Sequence, residues 1–314
     1  MRNFAITGAA GYVAPRHLKA IRDTGNRLVA ACDPHDAVGI LDSFFPDAAY
    51  FREFERFDRH LELLRRRSPE NRVDVVSICS PNHLHDAHVR TALRVGADAL
   101  CEKPLVLNPW NLDALADVEA ETRRRVWTVL QLRTHPALLA LKQKLDARSG
   151  RRPTVVLSYV TARGTWYRYS WKGDEQKSGG IATNIGIHFF DLLLWLFGAT
   201  RREEVALSEP TRASGFLELE RADVLWFLSI NRSDLPFEAS PGQKTTFRST
   251  TIDGEEVEFT EGFADLHTRV YEEALAGRGF GIDAARPSVE LAYRIRNAKA
   301  SASPAARHPF LDRP

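Results

Sequence analysis

The sequence predicts an α/β protein in two parts. Residues 1–131 read as an N-terminal doubly wound parallel sheet, and residues 132–314 as a C-terminal α+β domain with a mostly antiparallel sheet. Three observations predict this. Short apolar runs alternate with helical stretches as far as Gln131, the pattern that builds a parallel sheet with crossover helices. A glycine turn, Gly8-Ala9-Ala10-Gly11, directly follows the first apolar run. Beyond Gly198 the apolar residues recur at every second position instead, as in strands with one wetted face. A chain of 314 residues also exceeds the usual reach of one core.

In chain order, Phe4-Ala5-Ile6-Thr7 is a strand, Gly8 to Ala14 a turn, and Arg16 to Ile21 lie in a helix. Strand, glycine turn and helix is the setting of a dinucleotide-binding Rossmann fingerprint, here in the form G-x-x-G-x-x-A. Gly8 would make the tight turn, Gly11 would admit a pyrophosphate, and the helix N-terminus would offer it free N–H groups. The second strand, Leu28 to Cys32, ends at Asp33. That is about twenty residues past Gly11, where a carboxylate bonds the adenine ribose and disfavours the 2′-phosphate of NADP. Asp33-Pro34 is also an ordinary turn opener. Fingerprint and acid together point to a nucleotide, with NAD favoured over NADP.

A charged helical stretch (Asp58 to Arg67) precedes a buried strand, Val73 to Cys79, which ends in Ser80-Pro81-Asn82-His83-Leu84-His85; a helix follows to Arg94. His83, His85 and His88 lack a fourth ligand and any cysteine spacing, so no metal is expected there. The next strand, Ala97 to Cys101, runs into Glu102-Lys103-Pro104. A lysine there is either a surface charge or a catalytic group. The end of a strand is where open α/β sheets bind ligands, and Pro104 stiffens the peptide that carries the ammonium. A helix from Asn108 or Pro109 to Thr122 and a strand from Val126 to Leu130 complete this part. Cys32, Cys79 and Cys101 each close a strand and form no C-x-x-C pair. They read as small buried hydrophobes in a reducing compartment.

The second part opens with a helix (Pro136 to Arg148), a strand (Thr154 to Thr161) and a polar, aromatic loop from Arg163 to Asp174. Ser178-Gly179-Gly180 then leads into an apolar helix whose Asn184, His188 and Asp191 are spaced to share one face. His188 alone would read as a core histidine; the glycine pair before it and the polar residues on its face point to a site. The apolar run Phe189 to Phe197 contains an acid and is too short to span a bilayer. Period-2 runs follow at 215–220, 224–230, 245–252 and 256–259, with Asp253-Gly254 as a hairpin turn between the last two. Helices are expected at 265–276 and 284–300, and an irregular tail at 301–314. The net charge of +2, with 44% hydrophobic and 27% charged residues, argues against a nucleic-acid partner and for a globular enzyme or sensor. The early glycine turn leaves no room for a secretory leader, so a cytoplasmic location is expected.

These landmarks together resemble the Gfo/Idh/MocA sugar oxidoreductases: the Gly8–Ala14 turn, Asp33, Ser80-Pro81-Asn82-His83-Leu84-His85, Glu102-Lys103-Pro104, and Gly179-Gly180 ahead of His188 and Asp191. Within that family, Gly8 to His17, Arg163-Gly164-Thr165-Trp166-Tyr167 and Ser170-Trp171-Lys172-Gly173-Asp174 are similar to the subgroup of UDP-N-acetylglucosaminuronate 3-dehydrogenases of bacterial surface-polysaccharide synthesis. The resemblance implies NAD contacts at Gly8, Gly11, Tyr12, Val13, Asp33, His35, Ser80, Pro81, Asn82, His85, Glu102, Lys103, Gln131 and Trp171. It implies catalysis by Lys103, His188 and Asn184, substrate contacts at Lys103, Arg163, Tyr167, Lys172, Asn184 and His188, and a homotetramer or dimer packed through the second sheet. Many relatives carry Asp where this chain has Asn184, and Asn takes no proton at neutral pH. Proton transfer then falls to Lys103 or His188, with the choice open.

A free lysine, with a pKa of about 10.4, is a poor base unless burial or a neighbouring cation brings it toward roughly 7–8. A UDP-uronate needs fixed cations, which Arg163, Arg168, Lys172 and Lys177 offer among stacking aromatics. Oxidation of another sugar or of inositol, and a catalytically silent NAD-binding regulator, are the alternatives. Whether NADH exchanges freely or is recycled on a 2-oxo acid such as 2-oxoglutarate is left open by the residues.

Overall fold

The computed structural model describes residues 1–238, 245–259, 265–304 and 306–312. The chain forms two compact units. One comprises Met1–Thr134 with Gly262–Arg286; the other comprises His135–Glu261 with Pro287–Pro314. A single cut after residue 131 therefore does not describe them: the chain leaves the first unit near the expected place and later returns to it.

In the first unit the elements are β1 (Asn3–Thr7), α1 (Ala14–Asp23), β2 (Arg27–Cys32), β3 (Ala49–Phe51), α2 (Phe54–Arg67), β4 (Val75–Ile78), α3 (His85–Arg94), β5 (Asp98–Cys101), α4 (Pro109–Thr122) and β6 (Val126–Thr128). The strands form one parallel sheet in the order β3-β2-β1-β4-β5-β6, so the direction of winding reverses between β1 and β4. The ends of those two strands flank the crevice where such sheets take their ligands. All five residues of β1 are buried, as a strand covered by helices on both faces requires. Proline opens α1 and α4, where the first turn has no partner for the missing N–H.

In the second unit α5 (Pro136–Asp146) precedes β7 (Thr154–Thr161), and two single-turn helices follow, α6 (Trp166–Tyr169) and α7 (Glu175–Ser178). Next come α8 (Ile187–Phe197), β8 (Thr200–Ser208), β9 (Arg212–Leu219), β10 (Asp223–Ser229), β11 (Thr246–Ile252) and β12 (Glu255–Glu256). The sheet order is β12-β11-β7-β10-β9-β8. Only β7 and β10 pair in parallel; the other neighbours are antiparallel, which makes the sheet mixed and mostly antiparallel, as expected. Asp253 and Gly254 both have positive φ, 51° and 88°, the signature of the two-residue hairpin turn that the sequence predicts there. The last period-2 run is shorter than expected, with β12 covering two residues.

β8 is absent from the sequence reading. Its Arg201, Arg202, Glu203 and Glu204 break the apolar alternation, yet such charges suit a strand at the sheet edge. α9 (Leu266–Leu275) belongs to the first unit, where it packs on α1. α10 (Ile282–Asn297) follows it. The tail is irregular up to a short turn at Pro309–Asp312, where Phe310 packs 5.3 Å from Phe227 and 5.8 Å from Phe247, ring to ring.

The apolar stretch Glu175–Phe197 is longer than the run read from sequence. It runs for 23 residues and its most apolar window has a mean hydropathy of 1.5, long and apolar enough by composition to cross a bilayer, but 78% of that window is buried inside the protein. Its last part, α8, serves as the core helix of the second unit, with Phe190 edge-on to the fully buried Trp226 at 5.3 Å. Gly186 permits this approach, because a Cβ there would stand 2.7 Å from Leu228 Cδ1 and 2.8 Å from Phe190 Cε2. Gly186→Ala is expected to cost about 1–3 kcal/mol through overpacking. The measurement is the urea midpoint, which should fall at an unchanged slope.

Candidate active site

In the first unit the expected residues collect at the carboxyl ends of β1, β2, β4 and β5. Gly8 has a φ of +81°, and a Cβ there would lie 2.4 Å from the Cys79 carbonyl oxygen. Only glycine lets the turn after β1 pass this close to the end of β4. Gly8 N–H donates to the Cys32 carbonyl at 2.9 Å. Asp33 is held in place rather than hanging free: its Oδ2 accepts from Ala10 N–H at 2.9 Å and its Oδ1 from His35 N–H at 2.9 Å. The acid thus ties the glycine turn to the β2 end.

These residues fit a dinucleotide. Gly8 and Gly11 leave open a turn that side chains would crowd, and α1 is capped by Val13, whose side chain cannot bond the helix's free N–H groups. Its first turn also holds no acid, so a pyrophosphate meets only the positive end of the helix. Val13 is half-buried, whereas Tyr12 is 84% exposed with Arg16 5.9 Å from its ring centroid.

The loop after β4 is braced from within. His85 is buried, with its ring nitrogens 2.7 Å from the Pro104 carbonyl and 2.8 Å from the Ser80 carbonyl. It therefore joins the loop at Ser80-Pro81-Asn82 to the one at Glu102-Lys103-Pro104. Burial pushes the His85 pKa below its ordinary value, against the pull of those carbonyls and of Glu102. Burial also drives His88 down to about 3. Its neutral Nδ1 lies 2.9 Å from Ser80 Oγ and 3.1 Å from Thr7 Oγ1. Lys103 is half-buried, at the end of β5 as expected. Gln131 opens a short 3-10 turn after β6. The three cysteines are buried free thiols, and burial raises all three pKa values, Cys32 to about 12. They are poor nucleophiles.

Glu102, an expected cofactor contact, is turned into the interior and is 6% exposed. Its Oε1 accepts from His17 Nε2 at 3.1 Å and from His267 Nε2 at 3.0 Å, and its Oε2 accepts from Lys103 N–H at 3.2 Å. Burial acts most strongly on Glu102 and pushes its pKa up, but the two histidine bonds hold it well below the ordinary carboxylate value. The ligand-type atoms of His17, Glu102 and His267 lie within 4.8 Å of one another, and hydrogen bonding accounts for that spacing. His267 and Tyr271 gave no signal in sequence, because α9 lies far along the chain from the strands it joins.

In the second unit, Gly179 and Gly180 both have positive φ (79° and 70°) and end α7. Ala182–Gly186 is then a π-helical turn before α8. The expectation of one α-helical face for Asn184, His188 and Asp191 is corrected accordingly. His188 and Asp191 share α8, but the helix is wider where it carries Asn184. Such turns recur at functional sites. Asn184 Nδ2 donates to Tyr167 Oη at 2.8 Å. Asn184 and His188 are half-buried, and Asp191 is buried.

Tyr167 is 6% exposed, and burial raises its pKa. Lys172 sits 4.3 Å from the Trp171 ring centroid and 5.8 Å from that of Trp166. Burial and, after it, the charge of the exposed Arg163 lower the Lys172 pKa. A pocket of about 750 Å³ within this unit is lined by Tyr167, Arg168, Lys172 and Arg296, with Glu175 and Glu209 among the other lining groups. That volume lies in the range of small-molecule sites.

A strand order of 3-2-1-4-5-6 with an acid-tied glycine turn defines the first unit as a dinucleotide-binding Rossmann domain. Residues 2–129 match the Gfo/Idh/MocA oxidoreductase family's NAD-binding Rossmann fold, and residues 154–229 match that family's C-terminal α/β domain; the chain belongs to this family. It is similar to the WlbA (WbpB) dehydrogenase of Thermus thermophilus solved with NAD and α-ketoglutarate, at 57% identity over 99% of this chain and 100% of that one, with a TM-score of 0.94. The same enzyme solved with NAD and UDP-GlcNAcA matches at 56% identity over the same shares, with a TM-score of 0.93. An inositol 2-dehydrogenase of Rhizobium meliloti is 27% identical over 62% of this chain. This chain matches 54% of that relative's length and 36% of the D-glucoside 3-dehydrogenase of Escherichia coli.

Asp33→Ser is expected to weaken NAD binding by tenfold or more, because it loosens the bond to Ala10 N–H along with any bond to ribose; an unpaired buried donor costs about 1–3 kcal/mol. NADP binding should fall less, since the repelling charge is gone. Calorimetric titration with each nucleotide reads the difference.

Proposed function

We propose that this protein uses NAD to oxidise the 3-hydroxyl of UDP-N-acetyl-D-glucosaminuronic acid to the 3-keto sugar. The observation that carries the reading is identity of 56–57% over 99% of the chain to a dehydrogenase solved with NAD and, in one complex, with UDP-GlcNAcA. The residues agree with it. The oxidation takes a hydride from sugar C3 and a proton from its hydroxyl, and NAD supplies the hydride acceptor. The proton goes to Lys103 or His188. Asn184, an amide fixed by Tyr167, orients the hydroxyl and takes no proton.

Arg163 and Lys172, with Tyr167 between aromatic neighbours, hold the anionic nucleotide sugar. Partial burial makes the Lys172 ammonium costly when unpaired, and a diphosphate or a carboxylate would repay that cost. The α-ketoglutarate bound by the Thermus enzyme favours 2-oxoglutarate as the oxidant of bound NADH, yielding the 2-hydroxy acid. The reading places the protein in the cytoplasm as a homotetramer, in synthesis of the diacetamido-uronic acids of bacterial O-antigen. Size-exclusion with light scattering tests the assembly, and a monomer would contradict it.

The deciding experiment follows absorbance near 340 nm on adding UDP-N-acetylglucosaminuronate. A rise is expected with this sugar and not with UDP-N-acetylglucosamine, followed by loss of the signal when 2-oxoglutarate is added. Silence with the uronate would overturn the substrate assignment. Lys103→Met should abolish turnover and leave NAD bound. Arg163→Ala and Lys172→Ala should each weaken sugar-nucleotide binding more than NAD binding; equal losses by calorimetry would count against their role.

A further inference from the structure

Five polar side chains of the first unit form one buried hydrogen-bonded group. Ser77 Oγ lies 2.7 Å from Tyr271 Oη, which lies 2.7 Å from His17 Nδ1. His17 Nε2 and His267 Nε2 then meet Glu102 Oε1. Ser77, His17 and Tyr271 have no exposed surface, and His267 is 4% exposed. The charge at one end fixes every hydrogen. An ionised carboxylate only accepts, so both Nε2 atoms carry protons. Burial lowers the His17 pKa, which leaves Nδ1 bare to accept from Tyr271 O–H. The Tyr271 oxygen in turn accepts from Ser77 O–H.

This arrangement does not suit a proton relay. It ends at Ser77, which is fully buried in β4, and at a carboxylate held well below the range in which it would pick up a proton. It does suit a lock. With Oε1 pinned by two rings from two different helices, α1 and α9, the Glu102 carboxylate has one orientation. Its Oε2 then accepts from the N–H of Lys103.

We propose that His17, His267 and Tyr271 are positioning residues for Lys103: through Glu102 they hold the peptide that carries the catalytic ammonium group. The inference rests on the assignment of Lys103 to proton transfer. It adds three residues, two of them more than 160 positions along the chain from Lys103, none of which is expected to touch substrate or NAD. Apolar side chains of similar size would pack the same space without the cost of burying a charge, so packing alone does not account for the group.

The test compares His267→Gln, whose amide can still donate to Glu102, with His267→Leu, which cannot, and adds Tyr271→Phe, which frees Nδ1 of His17. His267→Leu is expected to lower kcat at least tenfold, with KM for the sugar nucleotide and Kd for NAD within about twofold of wild type. His267→Gln should recover most of that loss, and Tyr271→Phe should fall between. Equal kcat for the Gln and Leu variants, or a loss confined to KM or to NAD binding, would overturn the proposal. Nitrogen-15 NMR of histidine-labelled wild-type protein supplies a readout independent of turnover. A bare Nδ1 on a non-titrating His17 supports the lock, and a protonated Nδ1 overturns it. If wild-type protein leaves the uronate unoxidised, the substrate assignment falls, while the NMR result still decides the state of the group.

Discussion

A carboxylate is among the most expensive groups to bury, and Glu102 is ionised at 6% exposure. Much of the first unit can be understood as what makes that tolerable. α1 supplies one donor and α9 another, and the β5 end supplies a third through the Lys103 peptide. The cost is met only when all are in place, because removing one partner from a buried charge is far more damaging than never having built the pair. The carboxylate therefore couples three elements whose sequence neighbours have no reason to meet. It also ties the end of β5 to two helices, α1 and α9, that are far from it in sequence.

Close backbone approach is the second constraint, and it acts at the same strand ends. Gly8 lets the turn after β1 touch the end of β4, and Asp33 then ties that turn to the end of β2. His85 joins the β4 and β5 loops through two carbonyl groups. The four strand ends are thus fastened to one another by backbone groups and short polar side chains. A cofactor cradle built this way is stiff before any ligand arrives, which reduces the ordering cost of binding.

Much of this was legible in the sequence because it is local. Alternating strands and helices, the Gly8 turn, Asp33, and the Asp253-Gly254 hairpin are each encoded by a few adjacent residues. The cysteines closing three strands were legible for the same reason. What escaped depends on distant partners or on a change of helical pitch. β8 is a strand because β9 lies beside it, and its four consecutive charges conceal that. Asn184 sits on a π-helical turn that an α-helical period misplaces. His267 and Tyr271 serve the first unit from beyond residue 260, and no spacing in the sequence links them to His17 or Glu102.

The return of Gly262–Arg286 to the first unit has a consequence for how the protein is made. Synthesis is vectorial, and domains generally form as units while the chain emerges. Here the unit that begins at residue 1 cannot close until most of the chain has left the ribosome. Until α9 arrives, nascent Glu102 lacks the His267 donor and α1 lacks the helix that covers it. The second unit, though later in sequence, has its whole sheet translated before the first unit is complete. The first unit is therefore completed after the second unit's sheet and just before the second unit's own last segment, Pro287–Pro314.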